Sequence, residues 1–253
     1  MSAGNLGVMV VTGGSRGIGA ATARHAARQG YDVCLSYLRD QAAADAVVDD
    51  IRSFGRRGLA VRADLGREDD IVGLFSATDR ELGVPRVVVN NAGGTFGLRR
   101  RVADMQWDAV AAVLAANLTG VIISCREAIR RLSTERGGQG GVIVNVSSAS
   151  ARLGAPNLWM DYAAAKGGVD AFTIGLALEV AAEGIRVNAV RPGLIATELH
   201  AASGMPDRAD RAGKQLPMKR AGTAEEVADA IIWLASPGAS YVSGAIVDVA
   251  GAR

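Results

Sequence analysis

The chain has 253 residues, 49% hydrophobic and 21% charged, the balance of a packed globular protein with one α/β domain or two small ones. A chain this long buries roughly three quarters of the surface its unfolded state exposes, so it needs neither disulfide nor metal to fold. Its net charge of +2 gives no whole-chain argument for nucleic acid or an anionic membrane.

The opening Met-Ser-Ala-Gly-Asn-Leu-Gly lacks a charged region followed by an apolar core, so no signal peptide is expected and a soluble cytoplasmic protein is. Short β-branched runs then alternate with longer amphipathic ones. The pattern predicts strands at 7–12, 31–37, 58–63, 86–91, 141–147, 185–191 and 245–249. They read as continuous apolar segments, which suits strands covered on both faces of a parallel sheet. Helices are predicted at 17–29, 41–54, 67–82, 104–132, 161–183 and 223–235. Thr223 and Glu226 have capping-box spacing, and Gly30 and Gly184 stand where left-handed helix stops are expected. Strand-helix alternation predicts an α/β, doubly wound sheet of seven parallel strands flanked by helices, one domain over 1–253. The stretch 196–220 has weak periodicity and reads as a mobile substrate-loop insertion.

The longest unbroken apolar run, Ala109 to Ala116, is far too short to cross a bilayer. Cys34 and Cys125 lie in apolar stretches and are expected to be buried; His25 and His200 fit no metal-ligand pattern, and no metal site is expected. Three basic runs, Arg56-Arg57, Arg99 to Arg101 and Arg130-Arg131, read as solvated loop and helix ends. A sharper reading makes Arg99 to Arg101 a rim that attracts an anionic substrate.

The first strand runs into Thr12-Gly13-Gly14-Ser15-Arg16-Gly17-Ile18-Gly19, where a helix opens. Glycine there permits a tight turn and lets the main chain approach phosphate oxygens, while the helix N-terminus offers N–H groups and positive dipole. Units that bind NAD close the second strand with an acidic residue. Here Tyr37 holds that place, with Arg16 in the glycine turn and Arg39 just past the strand. Guanidinium groups suit a phosphate, so NADP(H) is expected over NAD(H), which stays possible. The competing reading leaves both arginines in solvent and gives the ribose to Asp40, itself better placed as a helix N-cap.

Tyr162-Ala163-Ala164-Ala165-Lys166 puts a phenol and an ammonium on one helix face. Tyrosine titrates near 10, too high for neutral proton transfer. A cation about 4 Å away, at an effective dielectric of about 20, favours phenolate by roughly 4 kcal/mol before screening. Upstream, Asn145-Val146-Ser147-Ser148 ends a predicted strand, and a serine hydroxyl there can polarise the same substrate oxygen.

With these residues the chain resembles the short-chain dehydrogenase/reductase family over its whole length. The matches are Thr12 to Gly19, Asp64 after the third strand, Asn90-Asn91-Ala92-Gly93, Asn117 in Asn-Leu-Thr-Gly, Ser148, and Tyr162 to Lys166. Arg191-Pro192-Gly193 with Thr197, and Tyr241-Val242-Ser243-Gly244, complete them. The resemblance implies an NADP(H)-dependent oxidoreductase interconverting a carbonyl and an alcohol, with Tyr162 as acid/base. It implies that Ser148 positions the substrate oxygen, that Lys166 lowers the tyrosine pKa and holds the nicotinamide ribose, and that Asn117 holds a water leading to Lys166. Gly13, Ser15, Arg16, Gly17, Ile18 and Gly19 would cradle the diphosphate. Tyr37, Arg39, Asp64, Leu65, Asn91, Ala92 and Gly93 would line the adenosine side. Pro192, Gly193, Ile195 and Thr197 would cover the nicotinamide. Members are usually tetrameric, and small residues around Tyr162 (Ala163, Ala164, Ala165, Gly167, Gly168) would face either the cofactor or another subunit.

The chain departs from the family twice. Ser148 to Tyr162 is one residue longer than in many members, so Ser147 or Ser150 competes for the serine role; the ending Asp248-Val249-Ala250-Gly251 replaces Asp-Gly-Gly. Among close types, the stretch from Ser150 to Pro156 resembles uncharacterised bacterial members compared with sugar dehydrogenases. A 3-oxoacyl-carrier-protein reductase is the rival, with Arg130-Arg131 as a carrier contact. A non-catalytic NADP(H)-sensing regulator is the reading from another class; it predicts an impaired tetrad, whereas Asn117, Ser148, Tyr162 and Lys166 are all present. Trp159, Met160 and Phe96 are candidates for the substrate wall.

Overall fold

The computed structural model describes residues 4–96, 100–197 and 207–253. Arg99, His200 and positions 198–206 of the expected insertion lie outside the described residues.

The strands are β1 (Val8–Val11), β2 (Asp32–Tyr37), β3 (Gly58–Arg62), β4 (Pro85–Asn90), β5 (Gly141–Val146), β6 (Ile185–Pro192) and β7 (Ile246–Val249). The longer helices are α1 (Gly17–Gln29), α2 (Gln41–Ser53), α3 (Glu68–Glu81), α4 (Trp107–Leu114), α5 (Gly120–Leu132) and α7 (Met160–Val180). With them go the short α6 (Ser150–Leu153) and α8 (Arg208–Gly213), and then α9 (Ala224–Ala235). All seven strands pair in parallel in the order β3-β2-β1-β4-β5-β6-β7.

Strand side chains alternate between faces, so an unbroken apolar run supplies two cores. Met9 and Val11 of β1 pack with α1, α2 and α9, whereas Val8 and Val10 pack with α3, α5 and α7. After β3 the chain crosses to the far side of β1 to lay down β4. The loops after β1 and β4 therefore diverge and open a crevice at the carboxyl ends of the strands, where such sheets bind ligands.

The helix stops and the capping box fall where the sequence put them. Gly30 takes φ 109° at the end of α1, Gly184 takes φ 73°, and Thr223 and Glu226 cap α9 reciprocally. The helix expected over 104–132 differs. It starts at Trp107 and is broken by a π turn, Ala115–Thr119, that swings Asn117 into the core. The same run, Trp107–Leu132, is long and apolar enough to cross a membrane by length and composition. Here it packs on α3 and α7 and carries Arg126, Glu127, Arg130 and Arg131 in ion pairs. Helices α6 and α8 were not foreseen, because one turn is too short to display a period.

A buried polar network fixes α7 against the sheet. Asn90 donates to Asn145 Oδ1 at 2.9 Å, Asn145 donates to Thr173 of α7 at 2.9 Å, and Ser124 donates to Asn90 Oδ1 at 2.6 Å. Both cysteines are free and buried, as expected; Cys125 joins this network, and burial pushes its thiol up to about 12.

The basic runs are not merely solvated ends. Arg131 pairs with Asp79 and Glu127, Arg130 with Glu127, and Arg100 with Asp161. Asp32, only 2% exposed, accepts from the backbone N–H of Arg57 at 3.0 Å and its Nε at 2.8 Å, and meets Arg56 at 2.8 Å. Burial alone would raise the Asp32 pKa; the hydrogen bonds from Arg57 and the two guanidinium charges outweigh it and hold the carboxyl below its ordinary 3.8. A carboxyl depressed by folding stabilises fully above its unfolded pKa and loses that contribution as pH falls through its folded value. Asp32→Ala is expected to cost about 3–5 kcal/mol in urea unfolding at neutral pH, because two guanidinium groups lose a buried partner. The deficit against the natural protein should shrink as the titration is repeated below about pH 4.

Candidate active site

The crevice is built from strand ends. Thr12, at the end of β1, accepts at Oγ1 from the backbone N–H groups of Asn91 (2.9 Å) and Ala92 (3.0 Å) after β4. Asn91 returns its side-chain amide to the carbonyls of Thr12 (3.0 Å) and Gly13 (3.1 Å). Ser36 of β2 accepts from Gly13 N–H at 3.0 Å. The turn from Gly13 to Gly19 is thus pinned from β2 and β4. Ser36 and Thr12 were missed as supports, since no local spacing pairs them with the turn. A Cβ on Gly19 would lie 2.2 Å from Gly13 O, so α1 closes on the turn only with glycine there.

This end suits a dinucleotide phosphate. Gly17 and Ile18 open α1, whose N-cap, Arg16, makes no side-chain cap and whose first turn has no acidic residue. The N–H groups and dipole of that turn face the crevice with no side-chain acceptor, as an anion requires. Ser15 is partly exposed beside them, and Arg16 and Arg39 are exposed and pair with no carboxylate among the described residues. Tyr37 ends β2, and Asp40 caps α2 by accepting from Ala43 N–H at 3.0 Å. Asp64 follows β3 and accepts from Gly66 N–H at 2.9 Å, while Leu65 is buried beside it.

The other end gathers Asn117, Ser148, Tyr162 and Lys166. Asn117 is fully buried; its amide donates to the carbonyls of Gly94 and Val113, each at 2.9 Å, and its Oδ1 accepts from Gly94 N–H at 3.0 Å. It clamps the segment after β4, and a Cβ on Gly93 would lie 2.3 Å from its Oδ1. Of the rivals of Ser148, Ser147 has its hydroxyl engaged elsewhere. Ser147 is buried and donates to Lys166 O at 3.2 Å, and Ser150 donates its backbone N–H to Ser148 Oγ at 3.1 Å. Ser148 is the serine that acts on the Tyr162 phenol, pulling its pKa down against burial.

Lys166 is 2% exposed and donates to Val146 O at 2.7 Å, with Nζ 5.7 Å from the centre of the Tyr162 ring. Burial lowers its pKa to about 8, against the opposing pull of Asp170. Burial raises Tyr162 above its ordinary 10.0, and Ser148 pulls the other way. The i and i+4 spacing placed both groups on one face but could not show that the ammonium turns to a β5 carbonyl.

Pro192 closes β6, and Gly193 donates its N–H to Val249 O at 3.0 Å. Ile195 is buried in the core and bridges Gly222, and Thr197 is partly exposed at the end of the described segment. Of the residues suggested for a substrate wall, Trp159 is buried, while Met160 and Phe96 are exposed.

The chain matches the family described as enoyl-(acyl carrier protein) reductase over residues 13–251. It is 47% identical over 248 residues to the uncharacterized oxidoreductase YgfF of Escherichia coli, covering 98% of this chain and 100% of that protein. It is 38% identical to a 3-oxoacyl-[acyl-carrier-protein] reductase of Synechocystis, covering 96% and 95%. A crystal structure of a short-chain dehydrogenase from Burkholderia cenocepacia, in complex with NADP, superposes with a TM-score of 0.89 at 30% identity, covering 98% and 97%. The chain belongs to the short-chain dehydrogenase/reductase family and is an oxidoreductase.

A buried ammonium held below its ordinary pKa opposes folding while charged. Its folded form releases the proton first, so this group's contribution to stability rises with pH between about 8 and 10.5. Lys166→Met is expected to raise stability at pH 7 by about 1–3 kcal/mol in urea unfolding. That advantage should narrow when the unfolding is repeated at pH above about 8.

Proposed function

We propose that the protein reduces a ketone or aldehyde to an alcohol with NADPH, Tyr162 donating the proton. The observation that carries this reading is the grouping of Ser148, Tyr162 and the buried Lys166, whose Nζ lies 5.7 Å from the centre of the Tyr162 ring. When bound, NADPH supplies a hydride to the carbonyl carbon. Tyr162 gives its phenolic proton to the carbonyl oxygen as charge develops there. Ser148, whose Oγ already accepts from Ser150 N–H, directs its own proton to that oxygen and stabilises the charge. The phenol is protonated at neutral pH, the form that donates in reduction. Lys166, titrating near 8, holds the next dissociable proton and would hold the nicotinamide ribose. Gly13 to Gly19 would cradle the diphosphate, and Asp64, Leu65 and Asn91 to Gly93 the adenosine. Pro192, Gly193, Ile195 and Thr197 would cover the nicotinamide.

The preference for NADPH rests on the exposed guanidinium groups of Arg16 and Arg39 and on Tyr37 in the place of an acidic residue. The related Burkholderia protein with bound NADP supports it. Arg130 and Arg131 are paired with Glu127 and Asp79, so these two residues do not by themselves favour a carrier protein as partner. The stretch 196–220 would complete the substrate wall, and two free buried thiols suit a reducing cytoplasm.

The test is consumption of NADPH against a panel of ketones, sugars, steroids and short β-keto esters. Tyr162→Phe should lose on the order of a hundredfold or more in kcat while its Kd for NADPH stays the same. Replacing Arg16 and Arg39 together by Ala should cut the preference for NADPH over NADH by roughly tenfold or more. Tighter binding of NADH than of NADPH by the natural protein would contradict the cofactor assignment.

We further propose a homotetramer that covers the outer faces of α4, α5 and α7, where Trp107 (85%), Ile174 (47%) and Leu178 (80%) are exposed. Of the small residues around Tyr162, Ala163 and Ala165 face inward and Ala164 is exposed on the outer side. Leu178→Glu should lower the mass measured by light scattering, with the fold intact by circular dichroism.

A further inference from the structure

The N-terminus of α7, which carries Tyr162, is fastened to the segment after β4 by one buried ion pair. Arg100 Nη2 pairs with Asp161 Oδ2, the Arg100 side chain being 15% exposed and that of Asp161 2%. The backbone adds a second tie, since Arg100 N–H donates to Leu158 O at 3.0 Å. Asp161 Oδ1 meanwhile accepts the N–H of Tyr162 at 3.0 Å. One carboxylate therefore links the guanidinium to the backbone of the residue beside it. The carboxylate also lies in the first turn of a helix, where the dipole favours negative charge.

The other end of the same segment is fixed as well. Gly94 is held by Asn117 through both its N–H and its carbonyl. Between these anchors Phe96 takes φ 48°, a left-handed conformation that a bulky side chain adopts only when its surroundings impose it. On the α7 side, Ala155 and Asn157 also have positive φ, 44° and 56°. Two constrained segments thus meet at the Arg100–Asp161 pair, immediately before the phenol.

We propose that Arg100 and Asp161 are positioning residues that set the placement of the Tyr162 phenol relative to the crevice. The inference rests on Tyr162 being the proton donor. It differs from a contribution to stability alone, because a buried ion pair adds little stability over apolar residues of similar size, while proton transfer is sensitive to displacements of the order of 1 Å.

The experiment labels the four tyrosines with fluorotyrosine and assigns the Tyr162 fluorine resonance by its loss in Tyr162→Phe. Spectra, kcat, KM for whichever ketone of the panel is turned over, and Kd for NADPH are compared for the natural protein, Arg100→Met, Arg100→Lys and Asp161→Asn. In Arg100→Met and Asp161→Asn the Tyr162 resonance should move and kcat should fall on the order of tenfold or more, with Kd for NADPH within about twofold. Arg100→Lys keeps the charge without the planar fork and should lie between these variants and the natural protein in both readouts. A lower Tm with an unmoved Tyr162 resonance and unchanged kcat would overturn the proposal and leave the pair a structural one. Should Arg100→Met fail to fold, an unmoved resonance in both Arg100→Lys and Asp161→Asn overturns it equally. If Tyr162→Phe keeps full activity, the proton-donor assignment fails separately, because the resonance reports placement without turnover.

Discussion

An ammonium group taken out of water is the constraint around which the catalytic end is arranged. Lys166 is buried, answers to the carbonyl of Val146 and sits one helical turn from Tyr162 and one from Asp170. Such a group is costly to hold, so the helix that carries it must be secured elsewhere. The polar network from Ser124 and Asn90 through Asn145 to Thr173 secures its middle, and Arg100 and Leu158 secure its start. The same burial that lowers Lys166 raises Tyr162, so the free protein holds a neutral phenol beside a readily titrated amine.

The nucleotide end obeys a different economy. Its parts are backbone N–H groups, a helix N-terminus and two exposed guanidinium groups, those of Arg16 and Arg39. Its rigidity comes from neutral hydrogen bonds of Thr12, Ser36 and Asn91, which hold the glycine turn between β2 and β4. The turn and α7 meet because the sheet order places the ends of β1, β4 and β5 side by side.

How much of this the sequence disclosed depended on range. Strands covered on both faces announce themselves as unbroken apolar runs, and the predicted strand bounds fall within a residue or two of the observed ones. The glycine turn was legible from strand before and helix after, and Tyr162 with Lys166 from their spacing. What escaped required distant partners. The π turn at Asn117 depends on Gly94, and the ion pair of Arg100 on Asp161. Helical spacing gives proximity but not burial, and burial is the larger influence on Tyr162.

The most direct measurement is an NMR titration of the lysine side-chain nitrogens, with Lys166 assigned by its absence from Lys166→Met. A midpoint near 8 for Lys166 in the cofactor-free protein is the result required by a desolvated amine at the foot of the crevice. A midpoint at the ordinary 10.5 would mean that water reaches the group, and the arrangement described for Tyr162 and α7 would not hold.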